Sequence, residues 1–118
     1  MRQTHSPNQE LRTLLVSLKE KARDNKIWGR VAADLSKPSR QRRNVNVYKI
    51  EKVARDGETV VIPGKVLSSG ELKKKVDVAA FSFSAEAKRK IEQAQGKVLT
   101  ISQLLEQNPD GKKVRILG

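Results

Sequence analysis

A chain of 118 residues and 13.2 kDa holds one domain with a modest core. Lys and Arg number 25 against 13 Asp and Glu, a net charge of +12 with a pI near 10.3, and apolar residues make up only 36%. Cysteine is absent, His5 is the single histidine, and no apolar run approaches the roughly 18 residues of a membrane span, which excludes disulfides, zinc–thiolate sites, His-based metal clusters, thiol catalysis and membrane spans.

Residues 1–8 read as a flexible tail, polar and without a hydrophobic signal segment, so a cytoplasmic location is expected. Asn8 can cap a helix running to about Asp24, because Leu11, Leu14, Leu15, Leu18 and Ala22 fall on one apolar face. A second helix is predicted over 27–35, with Ile27, Trp28, Val31, Ala32 and Leu35 inward. Lys37–Pro38 ends it, since the residue before proline avoids the α region. The stretch SRQRRN (39–44) has no apolar residue and cannot be core. Val45–Val47 reads as a short strand and 48–55 as a short helix with Ile50, Val53 and Ala54 inward.

Asp56–Gly57 is a turn signal, and Val60–Ile62 is a β-branched run typical of a buried strand. Pro63–Gly64 is expected to break that strand before Val66 and Leu67. Ser68, Ser69 and Gly70 form a loop, followed by the Lys73–Lys74–Lys75 run. The almost uninterrupted VDVAAFSF (76–83) predicts a strand covered on both faces. Ser84 caps the next helix, with Ala87, Ile91 and Ala94 inward, Lys88, Arg89 and Lys90 outward, and Gly96 at its C-terminal cap. A strand over 97–99 precedes Thr100-Ile-Ser-Gln103, a capping box that opens a helix to about Gln107. Asn108–Gly111 is a turn, and Val114 and Ile116 mark a last strand. The order is α/β: a single small layered domain of short strands alternating with helices, preceded by two helices and a basic extended segment.

The charge is uneven. Residues 1–55 carry 14 basic and 5 acidic residues, a net of +9, while 56–118 carry 11 and 8, a net of +3. The expected organisation is therefore a tail (1–8) and one domain (9–118), in which 9–55 is a basic nucleic-acid-binding part and 56–118 an α/β core. Charge runs are commonly solvated faces, but Lys37, Arg40, Arg42 and Arg43 put four cations in seven residues without an apolar anchor. Guanidinium forks suit bidentate phosphate contacts, so this segment is the first candidate for nucleic acid.

The loop GKVLSSG (64–70) departs from a P-loop, in which the lysine follows the second glycine; here Lys65 follows the first and Glu71 follows Gly70. It reads as a structural turn whose Lys65, Ser68 and Ser69 could touch RNA phosphates, flanked by Lys73, Lys74 and Lys75. A helix-turn-helix over 31–45 would need an apolar residue where Arg42 or Arg43 stands, which weakens the rival reading of a free-standing DNA-binding or chromatin protein. Trp28, Phe81 and Phe83 lie in apolar contexts and only Tyr48 does not, so an aromatic stacking platform is not expected. Glu71 and Asp77 flank the loop without a nucleophile or pocket, so no catalysis is expected.

Several segments occur in a familiar order and spacing: TVVIPGKVLSSGEL (59–72), VDVAAFSFS (76–84), AKRKIEQAQG (87–96), LTISQLL (99–105), NPDG (108–111) and VRILG (114–118). Upstream, Ile27–Trp28, Lys37–Pro38, the Arg40–Arg43 run and Val45–Asn46 fit the same pattern. Over 9–118 the chain resembles ribosomal protein eighteen-e of the archaeal and eukaryotic large subunit, related to bacterial large-subunit protein fifteen. Eukaryotic members extend further at the C-terminus, so a chain ending at Gly118 resembles the archaeal form. The resemblance implies a structural constituent of the large ribosomal subunit that binds rRNA, with neighbouring ribosomal proteins as partners (protein four among the expected ones). It implies no cofactor and no small-molecule substrate. Members of this family usually have glycine where Ser68 and Gln95 stand, so a left-handed backbone at position 68 would be strained by serine.

Overall fold

Two amphipathic stripes open the chain, and both become helices in the computed structural model, which describes residues 7–37, 43–108, 111 and 114–117. Helix α1 (Pro7–Ala22) begins at the proline, whose fixed φ suits the first helical position, so Asn8 lies inside the helix and does not cap it. Leu14 and Leu18 are buried on its inner face, with Leu11, Leu15 and Ala22 partly covered. Helix α2 (Lys26–Leu35) is capped by Asn25, whose side-chain oxygen accepts from the Ile27 N–H at 3.1 Å. Its inner face is Trp28, Val31, Ala32 and Leu35, as the spacing predicts.

The remaining elements alternate: β1 (Arg43–Asn46), α3 (Val47–Val53), β2 (Thr59–Leu67), β3 (Asp77–Phe83), α4 (Ala85–Gln93), β4 (Val98–Thr100), α5 (Ile101–Gln107) and β5 (Val114–Ile116). Every strand pairing is parallel, in the order β1-β2-β3-β4 with β5 also on β2. Adjacent residues of the central strands point to opposite faces. Val60, Ile62, Val78 and Ala80 pack with Ile50 of α3 and Ala87 and Ile91 of α4. Val61 and Ala79 pack with Trp28, Leu35, Ile101 and Leu104 of α2 and α5. The sheet is thus covered on both sides, which explains the unbroken apolar runs. The N-terminal helices supply core as well as charge.

Pro63–Gly64 does not end its strand. β2 continues to Leu67 with one extra residue, because Ile62 pairs with Ala80 while Lys65 pairs with Ser82. On its other edge β2 changes partner across the same dipeptide: residues 59–61 pair with β5 and 64–67 with β1. Proline, which has no N–H to give a ladder, sits in the gap between the two partners.

The caps at Ser84 and Thr100 form as the sequence indicates, the latter a reciprocal box with Gln103 at 3.0 and 2.9 Å. The end of α4 differs from expectation. Its left-handed residue is Gln95, at φ +73°, and not Gly96. Gly96 is demanded by proximity, since a Cβ there would lie 2.1 Å from the Val76 carbonyl oxygen. Ser68 has no left-handed backbone, so the strain anticipated there falls on Gln95.

Candidate nucleic-acid interface

Parallel neighbours need a crossover connection, usually a helix of a dozen or more residues with its loops. Between β2 and β3 the crossover is only the nine residues 68–76, without a helix. They form a strap running back along α3 from the carboxyl end of the sheet towards its amino end. Leu72 and Val76 anchor it in the core.

Its polar anchors are numerous. At the carboxyl end, Ser69 and the start of α3 exchange hydrogen bonds. The Tyr48 N–H donates to the Ser69 carbonyl at 3.1 Å, and the Ser69 N–H donates to Asn46 Oδ1 at 3.2 Å. Asn46 is the N-cap of α3 but makes no side-chain bond to its own helix, so its amide oxygen serves the strap instead. Gly70, at φ +94°, lies against Tyr48, where a Cβ would approach the Tyr48 Cβ to 2.4 Å.

Farther along, Glu51 accepts from the backbone N–H groups of Lys73 and Lys74 at 2.9 and 3.1 Å, and Asp56 accepts from that of Lys75 at 2.6 Å. The two backbone bonds hold the Glu51 carboxyl below the usual carboxylate range, with the Lys74 and Lys73 charges adding to them. Lys74 Nζ donates to the Ala54 carbonyl at 2.9 Å. These carboxylates therefore fix the backbone of the lysine run and leave the Lys73 and Lys75 side chains directed to solvent. Lys73 Nζ comes no closer than 4.0 Å to the Glu71 carboxylate, and the Lys73 side chain is 80% exposed. Glu58 belongs to a different brace: it takes two bonds at 3.0 Å from the Arg115 guanidinium, the main reason its carboxyl is lowered.

The predicted site is thereby divided. Ser68 and Ser69 lie at the carboxyl end of the sheet, together with exposed Lys65, which pairs with Asn44 across β1. Lys73, Lys74 and Lys75 lie along α3 towards the opposite end. Lys37 ends the α2 region and pairs with Asp34 at 3.3 Å. Arg40 and Arg42 fall outside the described residues, and of Arg43 only the backbone, in β1, is within them.

Lys90 and Tyr48 also stand differently from what the sequence reading gave them. Lys90, expected to face outward, turns to the strap, and its Nζ donates to the carbonyls of Ser68 and Gly70, each at 2.6 Å. Tyr48 is 55% exposed, whereas Trp28 is fully buried and Phe81 and Phe83 are partly covered. The only sequence sign of Tyr48 was its polar surroundings; Lys90 had none, since its partners are 20 and 22 residues away. Among the described residues, no group of three His, Cys, Asp or Glu could hold a metal ion, and no helix is long and apolar enough to cross a membrane.

Comparison with known proteins bears on the whole chain. The model of the family described as ribosomal protein 60S L18 and 50S L18e matches residues 1–118. The chain is similar to large ribosomal subunit protein eL18 of Methanococcus maripaludis, 47% identical over 120 residues and covering all of both chains. It is also 47% identical to the eL18 of Halobacterium salinarum, over 91% of this chain and 93% of that one. The eL18 of Pyrobaculum aerophilum is again 47% identical, over 97% of this chain and 95% of the relative.

Proposed function

The chain belongs to the ribosomal protein 60S L18 and 50S L18e family, a family of structural ribosomal proteins and not of enzymes, and from that premise we propose that it is a structural constituent of the large subunit that binds and stabilises rRNA. In this reading it works in the cytoplasm, on the ribosome. Its partners are large-subunit rRNA and the adjacent ribosomal proteins, protein four among the candidates.

The observation that carries the reading is the lysine strap. Its backbone is bound by Glu51 and Asp56, so these two carboxylates serve N–H groups while Lys73 and Lys75 extend outward. A surface built in this way, on a chain of net charge +12, presents cations on a prearranged backbone. Lys65, Ser68 and Ser69 form a second contact at the carboxyl end of the sheet. The segment Lys37, Arg40, Arg42 and Arg43 forms a third, in the part of the chain before residue 56 that holds most of the net positive charge, while 56–118 supplies most of the sheet. Contacts go to phosphates and 2′-hydroxyls, and RNA is recognised by shape.

Filter-binding titrations against large-subunit rRNA across a salt series test this. The reading requires tight binding with a log–log salt slope of several units, each neutralised phosphate adding roughly 0.7–0.9. Equal affinity for rRNA and duplex DNA would instead favour the free-standing DNA-binding reading.

A further inference from the structure

Tyr48 is the one aromatic side chain among the described residues that the fold leaves largely in solvent, at 55% exposure. Its base is nevertheless held on two sides. Its N–H is bonded to the Ser69 carbonyl at 3.1 Å, and its Cβ sits against Gly70, where there is no room for another side chain. Gly70 is in turn held by Lys90 through its carbonyl. The backbone that carries the ring is thus fixed while the ring itself is uncovered.

The exposed charges around it are mainly cationic, with Glu71, next to Gly70, the acid among them. Lys49 follows in sequence, and Lys52 stands one helical turn along the same exposed face of α3. The strap beside that helix presents Lys73. The nearest carboxylate on α3, Glu51, is turned to the strap backbone. A tyrosine ring has an apolar body that gains from being covered and a hydroxyl suited to a wet edge. An unpaired nucleobase offers a flat face for the ring and carries phosphates on either side for the lysines, and stacking of this kind tolerates any base.

Building on the rRNA-binding reading, we propose that Tyr48 is a stacking platform for one unpaired nucleotide of the RNA, with Lys49 and Lys52 on the flanking phosphates. Binding here is local: one base, on one ring, at the start of α3. The many phosphate contacts elsewhere on the chain do not depend on it.

The test compares full-length wild type, Tyr48→Ala and Tyr48→Phe in filter-binding titrations with large-subunit rRNA over a salt series, with thermal melts of each free protein. Tyr48→Ala is expected to bind about tenfold more weakly, with an unchanged salt slope because no cation is removed, and Tyr48→Phe to bind as wild type. Ultraviolet cross-linking of the wild-type complex is expected to join a nucleotide to Tyr48, a result that does not depend on any variant folding. Unchanged affinity of Tyr48→Ala, beside wild type that binds rRNA with a steep salt slope, overturns the stacking proposal and leaves the rRNA reading standing. Unchanged affinity combined with poor incorporation into subunits also overturns it and points to a protein neighbour on this face. Wild type that does not prefer large-subunit rRNA to unrelated RNA overturns both.

Discussion

The ammonium of Lys90, on α4, is bonded at 2.6 Å to the carbonyl of Ser68, on the strap, and at the same distance to that of Gly70. A single cation thus closes the bend where β2 gives way to the crossover. Among the described residues, Lys90 is the donor that serves the Ser68 and Gly70 carbonyls at this bend. The bonds are partly open to water, which reduces their worth, yet charged donors make the stronger class of hydrogen bond.

Replacing Lys90 by Met keeps the aliphatic stem and removes the donor. Stability is expected to fall by about 1 kcal/mol. Amide exchange should quicken at residues 68–70 while the central strands stay protected. A urea midpoint and exchange profile identical to wild type would show that the clamp contributes nothing.

Gln95 and Gly96 respond in opposite directions. A side chain in the left-handed region costs roughly 1 kcal/mol, so Gln95→Gly is expected to stabilise by about that amount, raising the melting temperature by about 4 °C. Gly96→Ala places a methyl 2.1 Å from the Val76 carbonyl oxygen and 3.2 Å from Ile91 Cγ2, and is expected to cost about 3 kcal/mol. Calorimetric melts of the two variants check both signs.

Acid should loosen the fold through Glu51 and Glu58. Each carboxyl is lowered in the folded protein, Glu51 chiefly by the backbone N–H groups of Lys73 and Lys74 and Glu58 chiefly by the Arg115 side chain. The folded form therefore binds their protons less readily than the unfolded chain. Their contribution is present above the unfolded value near 4.5 and is lost as pH falls through the lower folded values. Urea midpoints should be flat from pH 7 to about pH 5 and decline below about 4.5. Glu51→Gln should flatten part of that decline.

The basic segment is testable by composition alone. Arg40, Arg42 and Arg43 changed together to Ala should leave the melting temperature close to that of wild type, because the segment contains no apolar anchor. rRNA affinity should fall severely at low salt, and the log–log salt slope should shrink by about 2. Retention of full affinity would remove these arginines from the interface.

The sequence reading and the structure part company for physical reasons. Element order was legible because the determinants are local: the apolar stripe of α2, the Ser84 cap and the Thr100–Gln103 box each act within a few residues. The two-sided burial of β3 followed from its unbroken apolar run. The continuation of β2 through Pro63–Gly64 was missed because the strand is carried on by β5 and then β1 along one edge, partners some 50 and 20 residues away. The site was legible as composition and not as arrangement. That the Lys73–Lys75 backbone is bound by Glu51 and Asp56, or that Lys90 faces inward, depends on contacts about 20 residues apart in sequence. The family resemblance, carried by the segments around PGKVLSSGEL and VAAFSFS, reached the ribosome where charge alone reached only a polyanion.

The most direct measurement of the central claim is a sucrose-gradient profile of native lysate, probed for this chain at low salt and again after a moderate salt wash. A built-in rRNA-binding component is expected to sediment with the large subunit under both conditions. A chain found at the top of the gradient, or with the nucleoid, would contradict the account.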